Sequence, residues 1–459
     1  MTAIFSGRSI KQIQQKLFEI TTSLPKGAAA FICLSIMLIC TNAIVYPRAS
    51  QHDAWLHLSI LKGLYSLTVE PTYNAVYYYL FVALISSPLL PLTSLDVIEN
   101  DFNRFHSISV LVSGSMLWFV FFLGLYKTYL NLGFERHTAF LCAAATAVLP
   151  PIMRTYAMIR LENLILTLSP YLYLYASRLL SQKHLDTRTL AKLSIVVGLC
   201  ASQKVTGIVL VLWLLAAVTL LHNTELQSIG MKFRLRILFS LLFSVVLLLF
   251  LNYLATETWI FEHHAESRAD YTTKIPSLAN LTALNIPTVW ANPLRFQFPI
   301  SLPNILAVDF FGDYWGYGIN HLKLPISPDF RVIRARASLI LTGLYCVIFV
   351  LGFFLAMRHA LHRPERSIGN LRTTIIIPIL SATIFVGLAL ISLVSFKFWH
   401  AGKGDTFKWE YIIMFTTFAY LPLGVLIEKH PKTRMAAVSF AYFFIIAGFI
   451  QSAIIVVTR

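Results

Sequence analysis

"LCASQKVTGIVL", Leu199–Leu210, places one ammonium group in the middle of an apolar stretch that covers residues 190–222. As one helix that stretch would be about 50 Å long, well beyond the ~30 Å hydrocarbon core of a bilayer. The chain must therefore fold back on itself there. Lys204 and Gly207 belong to the turn, because a charge is tolerated at a membrane boundary and expensive at its centre. The centre of the chain thus reads as a membrane-embedded helical hairpin. Every other polar turn can be assigned to the side of Lys204 or to the opposite side.

The composition agrees with that reading. Of 459 residues, 57% are hydrophobic and 13% charged, about half the charged share of a globular domain. The mean hydropathy is +0.69. The net charge of +16 resides in short basic clusters between apolar runs. That is the pattern of topology signals and lipid-phosphate contacts, and it argues against a nucleic-acid partner. All five cysteines, Cys33, Cys40, Cys142, Cys200 and Cys346, fall inside apolar runs, so no disulfide framework or metal cluster is implied. The first apolar run is too long for a signal-peptide core and shows no small-residue cleavage site, so a retained first span is expected.

Runs of roughly 17–25 apolar residues predict an all-α polytopic membrane protein of about eleven transmembrane helices. They cover 28–46, 105–126, 138–152, 162–178, 190–204, 206–222, 237–253, 337–357, 373–395, 411–427 and 435–456. Arg8, Lys11, Lys16 and Lys26 place the N-terminus in the cytoplasm. Alternation then puts 47–104, 153–161, 254–336, 396–410 and the C-terminus outside. "NAVYYYLFVALISSPLL", Asn74–Leu90, is apolar enough to cross, and crossing would reverse every later loop. With 74–92 lying in the interface, the cytoplasmic loops hold about twice the Lys and Arg of the short outer ones, as the positive-inside rule requires. Pro88 and Pro91 end that interfacial helix. The chain divides into a cytoplasmic segment 1–27, a transmembrane module 28–253, an aromatic-rich outer loop 254–336 and C-terminal helices 337–459. No internal repeat and no Gly- or Pro-broken span is read.

The polar residues of the outer turns are the candidates for chemistry. In "YPRASQHDAWLHLSILKGL", Tyr46–Leu64, Asp53 and His57 are four apart and share a helical face, while Asp53 equally suits an N-cap. "PPIMRTYAMIRLENLILTL", Pro150–Leu168, carries Arg154, Arg160 and Glu162 in a short outer turn, where a surface ion pair is the plainer alternative. Lys204 could neutralise a phosphate at the boundary or simply snorkel. "FKFWHAGKGDTFKWEY", Phe396–Tyr411, interleaves Lys397, Lys403 and Lys408 with aromatics and glycines, as a phosphate clamp or an ordinary charged loop would. "AVDFFGDYWGYGIN", Ala307–Asn320, sets Asp309, Asp313 and Trp315 among rings, a mixture that contacts sugars and also anchors loops. "EHH" at Glu262–His264 has adjacent histidines that rarely converge on one ion, so no metal site is expected. Asn280–Thr282 is a sequon on the outer side.

The order of these features resembles the GT-C glycosyltransferases that use polyprenyl-phosphate sugars, in particular the protein O-mannosyltransferase-like group and the bacterial enzymes that modify lipid A or core oligosaccharide. The resemblance runs over about residues 28–253: one span, an outer Asp motif, "PTYNAVYYYLFVAL", the Arg-led "NRFHSISVLVSGSMLWFVFFLGL", the Arg160-x-Glu162 turn and a Lys204-x-x-Gly207 span. It is looser over 337–459, where "GDTFKWEYIIMF" stands in a matching loop. It implies Asp53 as the catalytic acidic residue, Glu162 as a second catalytic acidic position, and Arg160 and Lys204 as basic positions near the donor phosphate. "HDAW" departs from the paired acids of many members, which leaves the subfamily and acceptor open.

The expected function is transfer of a sugar from a polyprenyl phosphate to an acceptor hydroxyl on a glycan, lipid or protein, at the outer face of the cell's inner (plasma) membrane. Arg160, Lys204, Lys403 and Lys408 are expected to hold the donor phosphate, and His57, Asp313 and Trp315 the sugar or acceptor. No cofactor or metal is expected, since the lipid-linked sugar is itself the substrate and carries a good leaving group. The alternatives are a transporter or flippase, which often shows repeats and broken helices near the midplane, and a polysaccharide polymerase or ligase using a pyrophosphate-linked donor.

Overall fold

The structure, a computed structural model, describes residues 24–45, 60–61, 63–64, 76–86, 102–181, 186–221, 230–256, 277–294, 301–312, 328–362, 376–398 and 412–457. Among these it is helical throughout, with no strand. In chain order the helices are α1 (Ala28–Val45), α2 (Val76–Ser86), α3 (Phe102–Asn131), α4 (Arg136–Ala147), α5 (Pro150–Tyr156), α6 (Glu162–Ser181), α7 (Thr187–Gln203) and α8 (Val205–Leu221). There follow α9 (Met231–Thr256), the short α10 (Leu278–Thr282), α11 (Ile286–Ala291) and α12 (Leu302–Asp309), then α13 (Pro328–His362), α14 (Thr383–Phe398), α15 (Leu421–Lys429) and α16 (Arg434–Val457). Among the described residues five helical stretches are long and apolar enough to cross a membrane, or six if the bent pair α4–α5 is one span. The chain is an all-α membrane protein.

The apolar stretch 190–222 breaks where the charge is. α7 ends at Gln203, α8 begins at Val205, and Lys204 between them is extended, at φ −164° and ψ 154°. Gly207 sits where α8 passes back over α7: a Cβ there would lie 2.0 Å from the Cys200 carbonyl oxygen. Only a residue without a Cβ lets the two backbones come this close. At the other end of α7, Asp186 caps the helix, accepting from the Arg188 amide and the Thr189 hydroxyl. The Thr189 bond, ahead of the backbone amides, holds this exposed carboxyl below its ordinary range.

α2 has eleven residues and is about 16 Å long, half of what a crossing needs. It packs against α3 and α9, with the Val76 amide donating to Asn252 Oδ1 at 2.9 Å and the Tyr77 hydroxyl to the Leu248 carbonyl.

Three expected elements differ from their sequence reading. The span 138–152 is broken: α4 stops at Ala147 and α5 restarts at Pro150 with a bend of 69°. Proline lacks the amide that would continue the ladder, and it favours a first helical turn. The carbonyl freed at Ala147 accepts from Trp118 Nε1 at 3.0 Å. A Pro-broken helix is thus present where none was read. The segment 411–427 is likewise discontinuous, running through a 3-10 turn at Ile413–Thr416 before α15. The third difference concerns the loop 254–336. α12 and the two residues after it are buried, with Phe310 4.6 Å from Tyr345 and Phe311 5.5 Å from Phe444, ring centre to ring centre. Tyr345 and Phe444 lie well inside α13 and α16, so this part of the loop packs among the helices of the bundle.

The bundle has two polar ends and an aromatic middle. Phe31, Trp118, Phe122, Phe140 and Phe449 interlock between α1, α3, α4 and α16. At one end Arg434 pairs with Glu135 at 3.1 Å, and the Glu135 amide donates to Glu428 at 2.5 Å. At the other end lie the start of α6, the Lys204 turn and α2. The length of α6 separates the two ends, since Ser177 near its C-terminus meets Asn131, at the end of α3, at 3.5 Å.

Gly207→Ala is expected to destabilise the protein by about 1–3 kcal/mol, since the added methyl meets backbone that cannot move aside. Gly343→Ala, where a Cβ meets nothing within 4 Å, is expected to leave stability unchanged or slightly raised. Thermal unfolding of both variants in detergent micelles makes the comparison.

Candidate functional site

The site is built from two turns that the sequence separates by some forty residues. α5 ends at Tyr156, and the chain then makes a tight turn through Ala157–Leu161 before α6 begins at Glu162. The turn is closed by amide bonds from Ala157 to Met153 and Arg154, from Asn163 to Arg160 and from Leu164 to Leu161. Glu162, as the first residue of α6, has its carboxylate at the helix end that favours negative charge. Across from it Lys204, extended between α7 and α8, directs its ammonium at the same carboxylate. Nζ is 2.6 Å from Glu162 Oε1, with the glutamate side chain 7% and the lysine side chain 27% exposed.

The partial exposure of Lys204 matters chemically. Its ammonium is held by Glu162 and still faces the open side of the turn, within reach of an anion approaching from there. Arg160 lies close enough to Glu162 to interact with it electrostatically. A carboxylate between two cations is poorly placed as a proton acceptor. Its natural task here is to hold the cations in position.

Tyr78 of α2 completes the arrangement from below. Its buried hydroxyl accepts from the Arg160 amide and from Asn163 Nδ2, both at 3.1 Å, while Asn163 Nδ2 also donates to the Met158 carbonyl at 2.8 Å. Tyr156 and Thr167 share a further buried bond at 2.9 Å. α2 is thereby clamped to the turn that carries Arg160 and Glu162.

Of the residues singled out from sequence, Glu162 and Lys204 are brought into contact, with Arg160 beside them. Asp53, His57, Asp313, Trp315, Lys403 and Lys408 lie outside the described residues. Close to Asp53 in the chain, Ile60, Leu61 and Leu64 are helical, and Ile60 and Leu61 are buried. Asp309 is buried at the end of α12, where the neighbouring Val308 carbonyl accepts from Ser338. Asn280 of the sequon is engaged in a capping box with Ser277 at the start of α10. Among the described residues no three His, Cys, Asp or Glu side chains gather as a metal site requires.

Sequence reasoning missed Tyr78, Asn163 and Gln203. Tyr78 is one of three consecutive tyrosines, and only the packing of α2 shows that its hydroxyl meets Arg160 and Asn163. No protein-family model, curated protein or solved structure matches this chain.

Removing one partner of the ion pair strands the other charge. Lys204→Met and Glu162→Gln are each expected to cost about 3 kcal/mol, at the low end for a buried pair because Lys204 is partly exposed. The double variant should be less destabilised than the two losses summed, giving a coupling of about 1–3 kcal/mol by chemical denaturation. Tyr78→Phe leaves two donors without their acceptor and is expected to cost about 1–3 kcal/mol in the same measurement.

Proposed function

We propose that this chain is an integral membrane glycosyltransferase. It moves a sugar from a polyprenyl-phosphate donor to an acceptor hydroxyl on the extracytoplasmic side, with inversion and without a metal. The observation that supports this reading most is the anchored cation at Lys204. It is a lysine held by a buried carboxylate at one polar end of an apolar bundle, still partly open to that end, with Arg160 next to it. A lipid phosphate has its tail in the bilayer and its charge at the boundary, so an anchored cation at that depth is the group it requires.

In the proposed reaction the acceptor oxygen attacks the anomeric carbon from the face opposite the phosphate. The bond from that carbon to the phosphate oxygen breaks, its electron pair stays on the phosphate, and the acceptor proton goes to Asp53. Lys204 and Arg160, joined by Lys403 and Lys408 from the later loop, stabilise the charge on the leaving phosphate. Glu162 keeps Lys204 in place. His57, Asp313 and Trp315 contact the sugar or acceptor. α2 lies along the boundary where the donor's lipid would enter.

The bend at Pro150 is a feature that transporters also use, and it favours translocation of a lipid-linked sugar as the second reading. Reconstituted vesicles distinguish the two. Transfer of radiolabel from polyprenyl-phosphate sugar to an acceptor supports the enzyme, whereas movement of intact donor between leaflets without transfer overturns it. Asp53→Asn is expected to abolish transfer, by at least about 10²-fold, while leaving insertion and thermal stability unchanged. Near-normal transfer by that variant removes Asp53 from the reaction.

A further inference from the structure

We infer that Gln203, together with Thr206 and Asn163, forms a subsite that receives the hydroxyl groups of a ligand beside the Glu162–Lys204 pair. Resting on the glycosyltransferase reading, the ligand is the sugar ring of the donor, and Gln203 is a specificity-determining residue.

The argument starts from hydrogen bonds that are missing. Gln203 is 1% exposed, yet neither its Oε1 nor its Nε2 has a hydrogen-bond partner among the described residues. The same is true of Thr206 Oγ1 and Asn163 Oδ1, both of them buried. Buried polar groups are nearly always bonded, so each exception calls for an absent partner. These residues are also the immediate chain neighbours of the ion pair: Asn163 follows Glu162, Gln203 precedes Lys204, and Thr206 is two positions beyond it.

The break at Lys204 explains why the groups are left over. A threonine inside a helix usually returns its hydroxyl to the carbonyl four residues back, as Thr146, Thr155, Thr167 and Thr256 do here. For Thr206 that position is Ser202, which lies on α7 across the break. Gln203 is the last residue of α7, where the helix stops offering neighbours. The fold has thus opened its local hydrogen bonding beside the Lys204 cation.

The kinds of atom left unpaired indicate the ligand chemistry. Asn163 Oδ1 accepts only, Gln203 offers one acceptor and a donor amide, and the Thr206 hydroxyl can do either. A phosphate bears oxygens that accept and would be repelled by the two carbonyl oxygens. A hydroxyl both donates and accepts, and a sugar ring offers several. The phosphate therefore belongs on Lys204 and the ring on the neutral amides next to it. Ordered water is the competing occupant.

The test uses the full chain in lipid nanodiscs. Affinity is read by thermal shift for a polyprenyl phosphate without sugar and for the same lipid carrying mannose, glucose or arabinose. The wild type should bind at least one sugar-bearing lipid about tenfold more tightly than the bare lipid. Gln203→Met, unbranched and of similar size, should lose that preference, about tenfold, while keeping its response to the bare lipid. Its melting temperature without ligand should be unchanged or raised, since an unpaired amide has been removed. Thr206→Val should show a smaller loss of the same kind, and it reports on the subsite if Gln203→Met does not insert. A wild type that responds equally to bare and sugar-bearing lipids overturns the inference and leaves the phosphate reading standing. No response to any of these lipids overturns the glycosyltransferase reading itself, and the inference with it. If Gln203→Met keeps the sugar preference and melts at a lower temperature, the amide holds structural water only and the inference falls.

Discussion

The contact between Lys204 and Glu162 organises this molecule. In an apolar surrounding neither charge is tolerated alone, and the expense of burying either is met only when the other is at hydrogen-bonding distance. Pairing them, at 2.6 Å, therefore fixes more than two side chains. It joins the start of α6 to the turn between α7 and α8. The Arg160–Asn163 segment held in this way then supplies the donors that the Tyr78 hydroxyl accepts, so α2 is drawn to the same place. A single electrostatic requirement sets the relative positions of four helices.

That requirement acts at one end only. At the opposite end Glu135, Glu428 and Arg434 make exposed contacts, which contribute little to stability because water competes for them. Between the ends the interior is packed by rings and small residues, from the Phe31–Trp118–Phe122 group to Phe310, Phe311 and Tyr345. The molecule is thus polar and rigid where α6 begins, polar and solvated where α6 ends, and apolar throughout its length.

The re-entry of α12 has the same physical origin as the broken α4–α5 pair. Proline starts both α5 and α12 in their first turn, and capping by Ser301, which accepts from the Asn304 amide, satisfies a donor that a helix end otherwise leaves open. Short helices can enter an apolar interior only when such ends are satisfied. The sequence marks 254–336 only as a long, aromatic-rich loop. Its Leu302–Phe311 part is apolar on the sides that face α13 and α16, and that match shows only once those helices are in place.

Much of the architecture was legible in the chain itself. The apolar run lengths determined that the protein is helical and membrane-embedded, and the excess length of 190–222 determined a turn at Lys204, because geometry allows no straight alternative. Tertiary structure alone decided that Glu162 is the partner of Lys204, that the Tyr78 hydroxyl meets the Arg160 turn, and that Gln203 and Thr206 are buried without hydrogen-bond partners among the described residues. Those outcomes depend on which helix faces meet, and facing is a property of packing among distant segments that no local pattern of residues encodes.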